Sequence, residues 1–78
     1  MPTLRLFATV RVAAGTGSAS FAGETVEEVL DQASEKFGSE FAELVPICRI
    51  WVNGAAAEMA TEVTNDDEVA LLPPVSGG

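Results

Sequence analysis

Residues 25–38 read TVEEVLDQASEKFG, and they decide what kind of domain this chain can form. Thr25 and Glu28 have the spacing of a capping box, in which each side chain satisfies a backbone N–H that the first helical turn leaves unpaired. Val26, Val29, Leu30, Ala33 and Phe37 recur at helical intervals and form one apolar stripe. Glu27, Glu28 and Asp31 put negative charge where the N-terminal end of the helix dipole favours it. Gly38 is a natural stop. A single amphipathic helix has to bury its stripe against another layer, and the flanking sequence supplies that layer as strands.

Before the helix, TLRLFATV (residues 3–10) alternates, with Leu4, Leu6, Ala8 and Val10 on one side and Arg5, Phe7 and Thr9 on the other. This is the period of a half-buried strand, expected to run through Val10. Ala14 to Gly17 supply a turn, and Ser18 to Phe21 read as the returning strand of a hairpin. After the helix, Phe41, Leu44 and Val45 suggest a short extra turn before Pro46. ICRIWV then runs into Asn53-Gly54, a strong hairpin signal. Cys48, Ile50 and Val52 share the inward face of that strand, and Arg49 and Trp51 the outward one. A return strand is expected around Ala55 to Met59. Asn65-Asp66-Asp67 is a turn, and Glu68 to Leu72 form a last strand with Val69 and Leu71 inward. The expected fold is α+β, one mixed sheet of four to five strands packed on one main helix, with a domain at 1–72 and an extended tail at 73–78.

Composition limits what such a domain can do. Of 78 residues, 47% are hydrophobic and 21% charged, which fits one small folded domain better than a disordered chain. The single cysteine, Cys48, excludes an internal disulfide, and the absence of histidine removes the commonest general base and most zinc chemistry. No metal site is expected. The net charge of −8 argues against nucleic acid and anionic membrane as partners, and favours a basic protein surface or simple solubility. No apolar run approaches a membrane span and no signal-peptide pattern opens the chain, so a cytoplasmic location is expected.

The order hairpin, helix, hairpin, closing strand, with a Gly-Gly end, resembles the β-grasp fold of ubiquitin-like proteins. LLPPVSGG (71–78), preceded by DDEVA, and LFATVRVAAG (6–15) resemble the end and the start of the molybdopterin synthase small subunit, the MoaD family. The related ThiS family of thiazole-pathway sulfur carriers shares the fold and the Gly-Gly end but usually lacks the double proline. β-Grasp topology places the last strand between the first and third. Arg5, Phe7, Thr9, Arg11, Arg49, Trp51, Ala70 and Leu72 would then share the face away from the helix. Phe7, Trp51 and Leu72 are expected to anchor a partner there, with Arg11 as a polar contact. The alternative is that Phe7 or Trp51 turns inward to fill the core.

The tail extends this face. Pro73 and Pro74 fix φ and pre-order the backbone, and Val75, Ser76, Gly77 and Gly78 carry the chain end roughly 20 Å from the sheet at most. Gly77 and Gly78 have no side chains to obstruct entry into a narrow channel. The resemblance implies that an ATP-dependent activating enzyme (MoeB-like) adenylates the Gly78 carboxylate. Sulfur from a persulfide donor then replaces AMP and leaves a thiocarboxylate. The large subunit of molybdopterin synthase would accept that sulfur onto cyclic pyranopterin monophosphate. No cofactor would be bound by this chain, and ATP would be used by the activating enzyme. Other readings are a sulfur carrier for thiazole or cysteine synthesis, a ubiquitin-like protein modifier, or an interaction module with an incidental tail. Cys48 reads as a buried inert thiol, and Asp66-Asp67-Glu68 as an exposed turn. Lys36 is the only lysine.

Overall fold

A computed structural model describes residues 1–74. The elements run β1 (Thr3–Leu6), α1 (Ala8–Ala14), β2 (Ser18–Ser20), α2 (Val26–Phe37), α3 (Ser39–Leu44), a 3-10 turn (Val45–Ile47), β3 (Arg49–Val52), β4 (Ala55–Ala56) and β5 (Glu68–Leu72). The five strands form one mixed sheet in the order β2-β1-β5-β3-β4. β5 lies parallel to β1 and antiparallel to β3, so it fills the centre as expected. Register aligns Leu4 with Val69 and Leu6 with Leu71, and then Leu71 with Ile50 and Val69 with Val52. Inward side chains of three strands thereby form continuous rows. Leu4, Val69 and Leu71 are fully buried, and they meet Val26, Val29, Leu30 and Ala33 from the stripe of α2. Each such valine or leucine contributes about 1.5–3 kcal/mol through burial, and Ala33 less.

The first turn of α2 is closed largely as its sequence foretells. The Thr25 hydroxyl accepts from the Glu28 N–H at 3.2 Å. The reciprocal arm differs: Glu28 Oε1 accepts from the Glu24 N–H at 3.1 Å, one residue earlier than a capping box requires. The N–H groups of Val26 and Glu27 donate instead to the carbonyls of Thr61 and Met59, both at 2.9 Å. This explains why β4 is only Ala55–Ala56 and not a strand to Met59. The carbonyls of the following segment are committed to the helix N-terminus, and three alanines offer little to a pleated surface. The Asn53-Gly54 turn forms with φ of 51° and 82°, as a two-residue hairpin loop demands.

One element departs further. The strand expected through Val10 stops at Leu6, and Ala8–Ala14 is a helix. Val10, Ala13 and Ala14 recur at i, i+3 and i+4, so the same residues satisfy a helical period, and they pack on the core while Val12 faces out. Gly15 ends the helix at φ 76°, its N–H donating to the carbonyls of Arg11 and Val12. The reversal from strand to helix is made at Ala8, which holds φ 52° without being glycine. That conformation costs an L-residue roughly 1–2 kcal/mol, while glycine costs about 0.5–1 kcal/mol more chain entropy than alanine. Ala8→Gly is therefore expected to stabilise the domain by a few tenths of a kcal/mol, a rise in Tm of about 2–4 °C. A fall in Tm in a thermal melt would contradict the left-handed turn.

Candidate functional site

The outward face of the sheet is built from the odd-even parity of its central strands. Register places Ala56, Trp51, Ala70 and Arg5 in one row across four strands, and Arg49 beside Leu72 in the next. Alanine stands on both sides of Trp51, which is half-buried. Leu72 is half-buried at the end of β5, followed by Pro73, also half-buried, and exposed Pro74. Arg49, Trp51, Leu72, Pro73 and Pro74 together line a groove of about 450 Å3. The first residues of the tail thus leave the sheet against an arginine and a tryptophan.

Phe7 and Arg11 lie elsewhere on this side. Because β1 ends at Leu6, Phe7 is the residue that precedes α1, and Thr9 and Arg11 belong to that helix and not to the sheet face. This corrects the expectation of one uninterrupted patch. Phe7 is 40% exposed, which excludes it from the core. It lines a second groove of about 400 Å3 with Arg5, Arg11, Gly17, Glu68 and their neighbours. Gly17 gives Arg11 its seat: a Cβ there would approach Arg11 Nε to 3.3 Å. Arg5 Nη1 pairs with Glu68 Oε2 at 3.3 Å, an exposed ion pair worth little in stability that fixes one arginine on the rim. Three of the chain's four basic side chains, Arg5, Arg11 and Arg49, therefore line these two grooves. The outward parity of Arg5 and Arg49 was legible in sequence; the ion pair and the role of Gly17 were not, because both depend on contacts between distant segments. Val75, Ser76, Gly77 and Gly78 lie outside the described residues.

Two residues with alternative chemistry have structural duties. The Cys48 thiol lies 3.1 Å from the Leu44 carbonyl, and burial pushes its pKa up, so it stays protonated and a poor nucleophile. Asp67 closes the turn before β5. Its carboxylate accepts from Asn53 Nδ2 at 2.8 Å and from the Thr64 N–H at 2.7 Å, while Asn53 Oδ1 accepts from the Glu68 N–H at 2.9 Å. The Asn53 hydrogen bond foremost, then the Thr64 N–H, holds the Asp67 carboxyl below its ordinary 3.8. A lowered folded-state pKa gives stability that is complete above 3.8 and is lost as pH falls from there through the folded value. Asp67→Asn is expected to destabilise the domain at neutral pH and to flatten its stability profile below pH 3.8. Denaturant titrations across that range check it; an unchanged acid limb would remove Asp67 as its source.

Among the described residues, no three His, Cys, Asp or Glu side chains gather to hold a metal ion. No helix among them is long and apolar enough to cross a membrane. Comparison with curated proteins finds no match. Solved structures match closely in shape. SAMP1 from Haloferax volcanii is 31% identical, with 97% of each chain covered and a TM-score of 0.76. The Amycolatopsis orientalis BexX/CysO complex contains a chain 25% identical, covering 100% of both, at a TM-score of 0.85. The complex of subunits 1 and 2 of the molybdopterin-converting factor from Helicobacter pylori gives 23% identity, 97% and 96% coverage and a TM-score of 0.73, a likeness of fold. The ThiS family matches residues 4–78, nearly the whole chain with its Gly77-Gly78 end. The chain belongs to the ThiS family and has the β-grasp fold of ubiquitin-like sulfur carriers.

Proposed function

We propose that this chain is a thiocarboxylate-forming sulfur carrier and the small subunit of a molybdopterin synthase in the cytoplasm. The observation that carries the reading is the family match continuing through residue 78, so that Gly77-Gly78 belong to the matched region, beyond the Pro73 to Ser76 segment that follows β5 in sequence. In this reading the Gly78 carboxylate attacks the α-phosphorus of ATP on a separate activating enzyme, giving an acyl-adenylate and pyrophosphate. A donor persulfide displaces AMP to form an acyl disulfide, and a second thiol cleaves it. The thiol pair becomes a disulfide and Gly78 keeps a thiocarboxylate. That sulfur is a good nucleophile near neutral pH, and it is delivered into a larger subunit that holds cyclic pyranopterin monophosphate and supplies the acid–base groups. Pro73 and Pro74 pre-order the arm that makes the delivery, which lowers the entropy lost on insertion.

The sheet grooves fit the docking half of this proposal. Phe7, Trp51 and Leu72 offer apolar contact, and Arg11 and Arg49 offer directed hydrogen bonds; aromatic residues and arginine are enriched at interface cores. Phe7→Ala is expected to weaken the complex with the large subunit by about ten-fold or more while changing stability by less than about 1 kcal/mol, since the ring is already exposed. Calorimetric titration beside a thermal melt separates the two; a larger loss of stability than of binding would contradict the docking role.

A second reading is favoured by the 31% identity to SAMP1, whose Methanosarcina acetivorans counterpart is called a small archaeal modifier protein. Here the activated Gly78 would be joined to amines of target proteins. Intact mass spectrometry after incubation with an activating enzyme, ATP and a sulfur donor tests the first reading. It should show one oxygen exchanged for sulfur at Gly78, and addition of large subunit and pterin substrate should discharge it. Loading without discharge, with higher-mass protein adducts in cells, would favour the modifier. Failure to load with an enzyme proven on another carrier would overturn both.

A further inference from the structure

We infer that the groove between α1 and α3 is a second docking surface, and that its occupant is a basic amphipathic segment of a partner protein. The groove holds about 370 Å3 and is lined by Thr9, Val12, Ala13, Glu40, Glu43 and Leu44. None of these residues comes from the sheet, so the surface is separate from the grooves around Phe7 and Trp51. Val12 is 82% exposed and stands in it beside Ala13 and Leu44, an apolar floor that folding leaves open to water. Helical packing of this domain does not need Val12, because Val10, Ala13 and Ala14 already hold α1 to the core.

Charge selects the occupant. Glu40 and Glu43 are three residues apart on α3 and therefore share one side of that helix, at the rim of the groove. Both are exposed, and neither has an ion-pair partner among the described residues, where Arg5 with Glu68 is the pair formed. The basic side chains Arg5, Arg11 and Arg49 line other grooves. A second copy of this chain, itself at −8, would bring like charge against the rim. A helix with one apolar stripe flanked by arginine or lysine satisfies both floor and rim, in the manner of helix-in-groove recognition. The inference does not depend on the sulfur chemistry, since the binding it predicts needs neither Gly78 nor the activating enzyme.

The test is an amide-shift titration of the full 15N-labelled chain with a synthetic helical peptide carrying one leucine stripe flanked by arginines. Shifts are expected to concentrate at Thr9, Val12, Ala13, Glu40, Glu43 and Leu44. Val12→Asp, at an exposed position that leaves the fold intact, should abolish them. Glu40→Lys with Glu43→Lys should weaken binding about ten-fold, while Glu24→Lys with Glu62→Lys, the same change of net charge elsewhere, should alter it by less than about two-fold. Four results would overturn the proposal. These are shifts spread evenly over the acidic surface, equal losses for the two double variants, equal binding by a peptide with glutamate in place of arginine, and groove shifts that grow with protein concentration alone.

Discussion

Adding one residue after Gly78 is expected to reduce sulfur loading to below detection and to leave thermal unfolding unchanged. The proposed chemistry requires a free carboxylate at Gly78, because an amide oxygen in its place is a feeble nucleophile toward ATP. Activating the new terminal carboxylate does not rescue the reaction unless it can enter the same channel. Any side chain at that position widens the end that Gly77 and Gly78 keep narrow. The fold should not notice. Its last strand closes at Leu72, and the central inward residues of that strand, Val69 and Leu71, are fully buried in the core that α2 covers. Intact mass with and without the extension, beside a melt of each protein, measures both halves of the expectation. An extended chain that gains sulfur without being trimmed would sink the carboxylate mechanism. A drop in Tm would mean that the tail contributes to the fold, and the loss of loading would then have a second cause.

What the sequence disclosed and what it hid divide along the range of the interactions. Thr25 with Glu28, Asn53 with Gly54, and the alternation of Val69 with Leu71 each record a local requirement, a cap, a left-handed turn or a strand parity. The turn and the parity stand in the structure, and so does the Thr25 half of the cap, while Glu28 serves the Glu24 N–H one residue earlier. Strand parity also fixed the outward direction of Arg5, Trp51 and Leu72. The end of β1 was hidden because Ala8 and Val10 alternate while Val10, Ala13 and Ala14 also recur helically. Gly15 as a C-cap and the packing of α1 beside α3 settle that conflict, and only the second involves residues far along the chain. The length of β4 was hidden for a related reason. The carbonyls of Met59 and Thr61 serve a helix more than thirty residues earlier. The site inherited the first error: with Phe7 and Arg11 displaced from the strand, one expected patch became two grooves.

The largest loss of stability is expected from Phe41→Ala, at a residue whose sequence context marked nothing more than a short turn. Phe41 is fully buried. Its ring centroid lies 5.2 Å from that of Phe37, which in turn meets Phe21 edge-on at 5.7 Å, so the three aromatics tie α3 and α2 to the segment after β2. Helix α3 has six residues, too few to persist in water on helical propensity alone, and Phe41 is its one fully buried anchor. Truncation removes the ring's burial and leaves a cavity that a short helix cannot collapse, at a cost of about 3–5 kcal/mol. A domain of this length has roughly 4–12 kcal/mol in total, so the variant should lose at least about a quarter of its stability and at most all of it. Phe41→Leu should recover most of the loss by refilling the space, while Ile47→Ala, at a side chain 57% exposed just beyond α3, should cost under about 1 kcal/mol. Urea denaturation with an unchanged m-value is the measurement. If Phe41→Ala cost no more than Ile47→Ala, the ring would not be in the core, α3 would not be fixed beside α1, and the acidic groove between them would lose its floor.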